Sequence, residues 1–184
     1  MFPRLLEQIA LGLESRAIPY LMIGDQALLL CGEPRLTRDI DITLGSGPER
    51  LGEILGLVEA WGWRVLVETP AEFLEKTMVL PALEPESGIR VDFIFSFSPY
   101  ERQAIERART LPIGKAQVRF ASAEDLIVHK IIAGRPRDLE DVRGILLKNP
   151  HLDTSYIRNW LGDFDASLGE SFTQKFDEVL RQAE

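Results

Sequence analysis

The sequence predicts an α+β fold: a mixed sheet flanked by helices, with a helical C-terminal section. Strand-like patterns fall mainly in the first two thirds of the chain, and helix caps with periodic apolar residues fill the last third. The chain has 184 residues and is 45% hydrophobic, enough for one compact domain with a proper core. Residues 1–121 are expected to form an α/β core, and residues 122–184 a helical section packed on it.

Taken in order, Leu5, Leu6, Ile9 and Leu13 recur at helical spacing and predict an amphipathic helix over 2–16. Residues 18–24 are an apolar run ending in Gly24, which reads as a buried strand entering a tight turn. A short helical stretch at 27–31 and a turn at 32–35 follow. Pro48 suits the first turn of a helix over about 49–61, which carries Leu51, Ile54, Leu55 and Val58. Residues 63–67 read as a strand, 76–83 as a less regular one, and 89–95 as another. Pro99 opens a helix to about Ala108, and 116–120 is a further strand. Ser122 and Asp125 have the shape of a capping box for a helix ending at Gly134. Pro136 opens the next helix, Asn149-Pro150 breaks the chain, and the remainder from about Asp153 is helical and charged. No repeat or low-complexity tract is present.

The stretch Arg38-Asp39-Ile40-Asp41-Ile42-Thr43 is a strand of alternating character. Ile40, Ile42 and Leu44 take one face, and Asp39, Asp41 and Thr43 the other. Carboxylates two residues apart on a strand project side by side, roughly 6.6 Å apart at Cα. Like charges held so close are best tolerated with a cation between them. Asp92 faces opposite to Val91, Phe93 and Phe95, so pairing of its strand with the acidic strand adds a third carboxylate about one strand spacing away, roughly 5 Å. Three carboxylates on one face suit one or two Mg²⁺ ions, which take carboxylate oxygens together with water and substrate phosphates.

The pieces Gly24-x-x-Ala27, Arg35-x-Thr37-x-Asp39-x-Asp41, Val91-Asp92-Phe93, Glu124-Asp125-Leu126 to Lys130, and Arg135-x-x-Asp138-x-x-Asp141 together resemble the nucleotidyltransferase superfamily with the DNA polymerase β-like fold. Within it the chain looks like the AbiEii-type branch, known as toxins of abortive-infection and toxin–antitoxin systems. The resemblance covers about residues 15–148. It implies Mg²⁺-dependent transfer of a nucleoside monophosphate from an NTP to an acceptor. Asp39, Asp41 and Asp92 would hold two ions, and Asp92 would serve as general base. Gly24 would let the backbone close on the phosphates, and Lys130 would neutralise developing charge. Arg35 would contact a phosphate or Asp25, with Thr37 supporting the turn. An RNA acceptor such as tRNA and an antitoxin partner follow from the resemblance alone.

One position departs from the family pattern. Gly24-Asp25 stands where Gly-Gly or Gly-Ser is usual, and a carboxylate aimed at a triphosphate repels it. Asp25 either turns away, helps to hold the metal, or caps the helix starting near Gln26. The alternative reading is a catalytically degenerate member acting by partner binding. A further one is transfer to a small molecule or a protein.

The net charge of −8, with a pI near 4.9, argues against broad electrostatic binding of nucleic acid. The clusters Arg102, Arg107, Arg109 and Arg135, Arg137, Arg143 read as solvated helix faces. The single Cys31 fits a buried thiol in a reducing compartment. Neither a signal peptide nor an apolar run of spanning length is visible, so a cytoplasmic protein without membrane association is expected.

Blander readings stand beside the functional ones. Asp39 and Asp41 could face solvent on an edge strand, and Asp92 likewise. Lys130 could be a snorkelling surface lysine. Arg135, Asp138 and Asp141 are expected to form i,i+3 and inter-helix ion pairs that lock two helices. His129 reads as structural, and two His with one Cys make zinc improbable. An EF-hand is excluded by Thr43, Gly45 and Arg50 at its ligand and glycine positions. Trp61, Trp63 and Trp160 read as packing residues.

Overall fold

The computed structural model describes residues 2–31 and 39–183, with Leu29 described by its backbone alone. Arg35, Thr37 and Arg38 lie outside the described residues. Among the described residues seven strands form one mixed sheet: β1 (Tyr20–Ile23), β2 (Asp39–Leu44), β3 (Arg64–Val65), β4 (Val79–Glu84), β5 (Ile89–Phe95), β6 (Arg109–Ile113) and β7 (Ala116–Phe120), in the order β3-β4-β5-β2-β1-β7-β6. The β2–β5 and β1–β7 pairs are parallel and the others antiparallel. With helices alongside it, this is the α+β architecture that the sequence predicts.

The central position of β2 explains its composition. It lies between β1 and β5, so its apolar face must be closed off, and Ile40, Ile42 and Leu44 are all at 0% exposure. All four residues of β1 are buried, as expected of a continuous apolar run between two neighbours. Helices α1 (Phe2–Ser15), α3 (Leu51–Ala60), α4 (Pro70–Thr77) and α5 (Pro99–Glu106) surround the sheet, and α2 (Asp25–Leu30) follows β1. The buried stripe of α1 is Leu5, Leu6, Ile9, Ala10 and Leu13, and the helix lies against β6 and β7. Gly12 on α1 abuts Leu57 and Trp61, where a Cβ would collide with the indole. Trp61 in turn packs on the buried Trp63, with ring centroids 4.7 Å apart.

The structure differs from the sequence reading at three elements. Residues 70–77 are helix α4 rather than chain leading into a strand, so the following strand begins at Val79 instead of 76. Pro70 at the first helical position was the available signal, but Leu74 is the only residue of α4 that is buried, and one residue makes no periodicity. Strand β6 went unread because its three exposed positions, Arg109, Thr110 and Pro112, blur its alternation; the Gly114 turn, at φ +58°, folds it back on β7. Strand β3 shrinks to two residues.

The chain divides into two compact units: residues 1–26 with 36–120, and residues 27–35 with 121–184. The second is helical among its described residues. It contains α6 (Ala123–Ala133), α7 (Pro136–Lys148), α8 (Thr154–Leu168) and α9 (Phe172–Ala183). The Ser122 hydroxyl accepts from the Asp125 N–H at 3.1 Å and donates to its carboxylate at 2.6 Å, and Gly134 ends α6 in the left-handed region at φ +63°. Asn149 Nδ2 donates to the Cys31 carbonyl at 3.3 Å, tying residue 31 to the end of α7, and the Cys31 thiol is buried.

Candidate active site

The site is built on β2, β5 and the turn after β1. In the parallel β2–β5 pair, Asp39 lies opposite Arg90 and Asp41 opposite Asp92. Residues directly opposite share a sheet face, so Asp39, Asp41, Arg90 and Asp92 line the same one. Asp41 and Asp92 stand about one strand spacing apart, roughly 4.8 Å between backbones. Asp39 is exposed, whereas Asp41 and Asp92 are half-buried.

Ile23 is the partner of Asp41 in the antiparallel β1–β2 pair, so the Gly24 turn sits beside the carboxylate. Gly24 has φ +71°, and a Cβ built on it would lie 2.5 Å from Asp41 Oδ2. Only glycine supplies both that backbone conformation and that closeness. Asp25 opens α2 and adds its charge to the field at Asp41.

This crowding appears in the titration of Asp41. Its carboxyl is pushed up from the ordinary 3.8 to about 6, first by burial and then by the charges of Asp39, Asp92 and Asp25, with Arg90 pulling the other way. A divalent cation would relieve the same repulsion, and an all-carboxylate donor set is the oxygen chemistry that Mg²⁺ takes. The residues therefore fit the ion by donor type. As they stand, however, the described residues contain no group of three His, Cys, Asp or Glu side chains gathered closely enough to ligate one ion. Asp92 is engaged elsewhere: its Oδ1 accepts from Arg90 Nε at 2.8 Å.

Lys130 is not a snorkelling surface residue. It is 6% exposed, and its Nζ sits 2.7 Å from Asp141 Oδ2 and 3.5 Å from Asp138 Oδ1. Arg135 Nε holds the other Asp138 oxygen at 2.6 Å in the expected i,i+3 pair. Burial pushes the Asp138 carboxyl up, but the hydrogen bond from Arg135 and the charge of Lys130 outweigh it and leave the group below its ordinary range. Lys130 on α6 thus makes an inter-helix ion pair with α7. Lys130, Asp138 and Asp141 belong to the helical unit, and Gly24, Asp25, Asp39, Asp41 and Asp92 to the sheet unit. Arg90 is the residue that reading the sequence missed; its place two residues before Asp92 on an alternating strand was the signal.

The family profile described as "Nucleotidyltransferase of unknown function (DUF6036)" matches residues 2–175. The chain belongs to this nucleotidyltransferase family. No curated protein matches it in sequence. Among solved structures, the DUF6036 chain is similar to the antibiotic-resistance factor ANT(2'')-Ia, in complex with adenylyl-2''-tobramycin, at 21% identity and TM-score 0.60, covering 90% of this chain and 98% of that one. A nucleotidyltransferase-like antigenic protein from Paracoccidioides brasiliensis matches at 17% identity and TM-score 0.57, covering 97% and 91%. The lincosamide antibiotic adenylyltransferase LnuA, lincomycin-bound, matches at 14% identity and TM-score 0.50, covering 72% and 89%. At these identities the likeness is one of fold. The matches carry the nucleotidyltransferase family and not the narrower AbiEii-type branch. No helix among the described residues is long and apolar enough to cross a membrane.

Proposed function

We propose that this protein transfers a nucleoside monophosphate from an NTP to the hydroxyl of a small, neutral or cationic acceptor, releasing pyrophosphate. The observation that carries the reading is the register of Asp41 beside Asp92, against the Gly24 turn, in a chain of a nucleotidyltransferase family. Asp39, Asp41 and Asp92 would hold Mg²⁺, two ions by the family resemblance. When bound, the metal would polarise the phosphoryl oxygens and neutralise the charge of the leaving pyrophosphate.

The chain's own residues would do the rest. Gly24 leaves room for the phosphates to approach the backbone beside Asp41, as no residue with a Cβ could. Asp92 would take the proton of the acceptor hydroxyl as its oxygen attacks the α-phosphorus. Arg35 and Thr37 would support the phosphate end of the site. Lys130 is committed to Asp138 and Asp141, which favours a part in holding the helical unit together over contact with phosphate.

The acceptor class rests on charge. A net charge of −8 repels a polyanion and tolerates a neutral or cationic small molecule. Tobramycin, bound as adenylyl-2''-tobramycin in ANT(2'')-Ia, and lincomycin, bound in LnuA, are small molecules of that kind. An AbiEii-type toxin, with an RNA acceptor and an antitoxin partner, would need a local basic surface strong enough to overcome the net charge. Asp25 beside the turn supports the degenerate, partner-binding alternative.

Calorimetric titration of each NTP with Mg²⁺ into wild type and the Asp39→Ala/Asp41→Ala double variant tests the reading. Metal-dependent binding by wild type that the variant loses is the expected result. No binding by wild type at millimolar NTP would sink the enzyme reading and leave the partner-binding one.

A further inference from the structure

Arg90 stands among the carboxylates. It faces Asp39 across the β2–β5 pair and shares a sheet face with Asp41 and Asp92. Its side chain is 51% exposed while that of Asp92 is 19% exposed, so the guanidinium lies toward solvent and the carboxylate behind it. An arginine guanidinium is a permanent cation, and this one stands on the face that gathers Asp39, Asp41 and Asp92.

A purely structural role explains this placement poorly. A half-exposed ion pair adds little to stability. The same pair nevertheless occupies Oδ1, one of the two oxygens Asp92 could offer a metal, and a guanidinium and a divalent cation on one carboxylate repel each other. The planar fork of arginine also matches phosphate oxygens, and an exposed side chain is free to turn toward them.

We propose that Arg90 is a further functional residue of this site: its guanidinium competes with a divalent cation for Asp92 and passes to the phosphates of the bound nucleotide when the ion takes its place. The inference rests on the nucleotidyl-transfer reading above. It makes Arg90 a positioning residue for metal and a contact for nucleotide, and it explains why the three carboxylates stand in register without closing as a ligand set.

The test measures binding rather than turnover. Mn²⁺ is titrated calorimetrically into full-length wild type, Arg90→Gln and Arg90→Lys without nucleotide. A non-hydrolysable NTP analogue is then titrated at saturating Mn²⁺. Arg90→Gln is expected to bind Mn²⁺ at least threefold more tightly and the analogue at least tenfold more weakly, while Arg90→Lys keeps Mn²⁺ affinity near wild type. Unchanged or weaker Mn²⁺ binding by Arg90→Gln overturns the proposal, as does undiminished analogue binding; either leaves the transfer reading standing, provided wild type binds both. If wild type binds neither Mn²⁺ nor analogue, both readings fall together.

Discussion

Asp41 shows how one side chain can cost stability so that a site can exist. Its carboxyl titrates near pH 6 in the folded chain and near 3.8 when unfolded, so the folded state holds its proton more tightly. The stability associated with that proton is fully present below about pH 4 and is lost as pH rises through 6. Asp41→Asn removes the charge without the bulk. In chelator, it is expected to stabilise the protein by about 1–3 kcal/mol at pH 7 and by much less at pH 4. Denaturant melts at the two pH values check this; an equal effect at both would show that like-charge crowding is not the cause. At this scale the sequence was only partly informative. Alternation put Asp39 and Asp41 on one face of their strand and Asp92 opposite the apolar side of its own, because strand periodicity is a backbone property; the β2–β5 pairing is what joins the three. It did not say that Asp92 would turn to Arg90, because a salt bridge depends on rotamers and on the competition for each oxygen.

At the scale of elements, α6 and α7 are joined by a charge cluster that helix periodicity could not reveal. Seven residues of α6 are buried, Asp125 and Lys130 among them, so no polar face is left for a lysine to escape along. Asp125 is at 0% exposure and accepts from the Tyr156 hydroxyl of α8 at 2.6 Å, a second polar link within the same unit. Buried ions are stable only in company, and removing one partner leaves the other uncompensated. Lys130→Met is therefore expected to destabilise the protein by about 3–5 kcal/mol, and Lys130→Met/Asp141→Asn to recover part of the loss. Chemical denaturation measures both. A Lys130→Met variant of wild-type stability, with nucleotide binding abolished, would instead return Lys130 to the phosphate-contacting role. The capping signals at Ser122 and Gly134 were legible because they depend on local backbone groups. Helix α4 was not, since its stability comes from where it packs rather than from its own pattern.

For the molecule as a whole, the net charge of −8 sets an expectation about nucleic acid. At a physiological salt concentration the protein is expected to bind tRNA at or beyond the weak end of non-specific association, a Kd of about 10⁻⁴ M or weaker. Filter binding across a salt series checks this. Tight, steeply salt-dependent binding would reveal a working basic patch, with the exposed Arg102, Arg107 and Arg109 as the first residues to remove. The mixed sheet and the helical C-terminal section were readable from the order of apolar runs and turn residues. The strand order was not, because β2 pairs with β5 across an intervening helix–strand–helix–strand segment that leaves no local trace.

That long-range parallel pairing also bears on how the protein is made. A growing chain that has delivered Asp39 and Asp41 still lacks Asp92, and β2 keeps one edge unpaired until β5 emerges. Loop closure on that scale is slow, and an unpaired apolar strand invites pairing with a neighbouring chain. The step that completes the carboxylate face is thus also the step that closes the free edge of β2, while β1 still waits for β7, so conditions that slow synthesis or folding should first cost soluble yield.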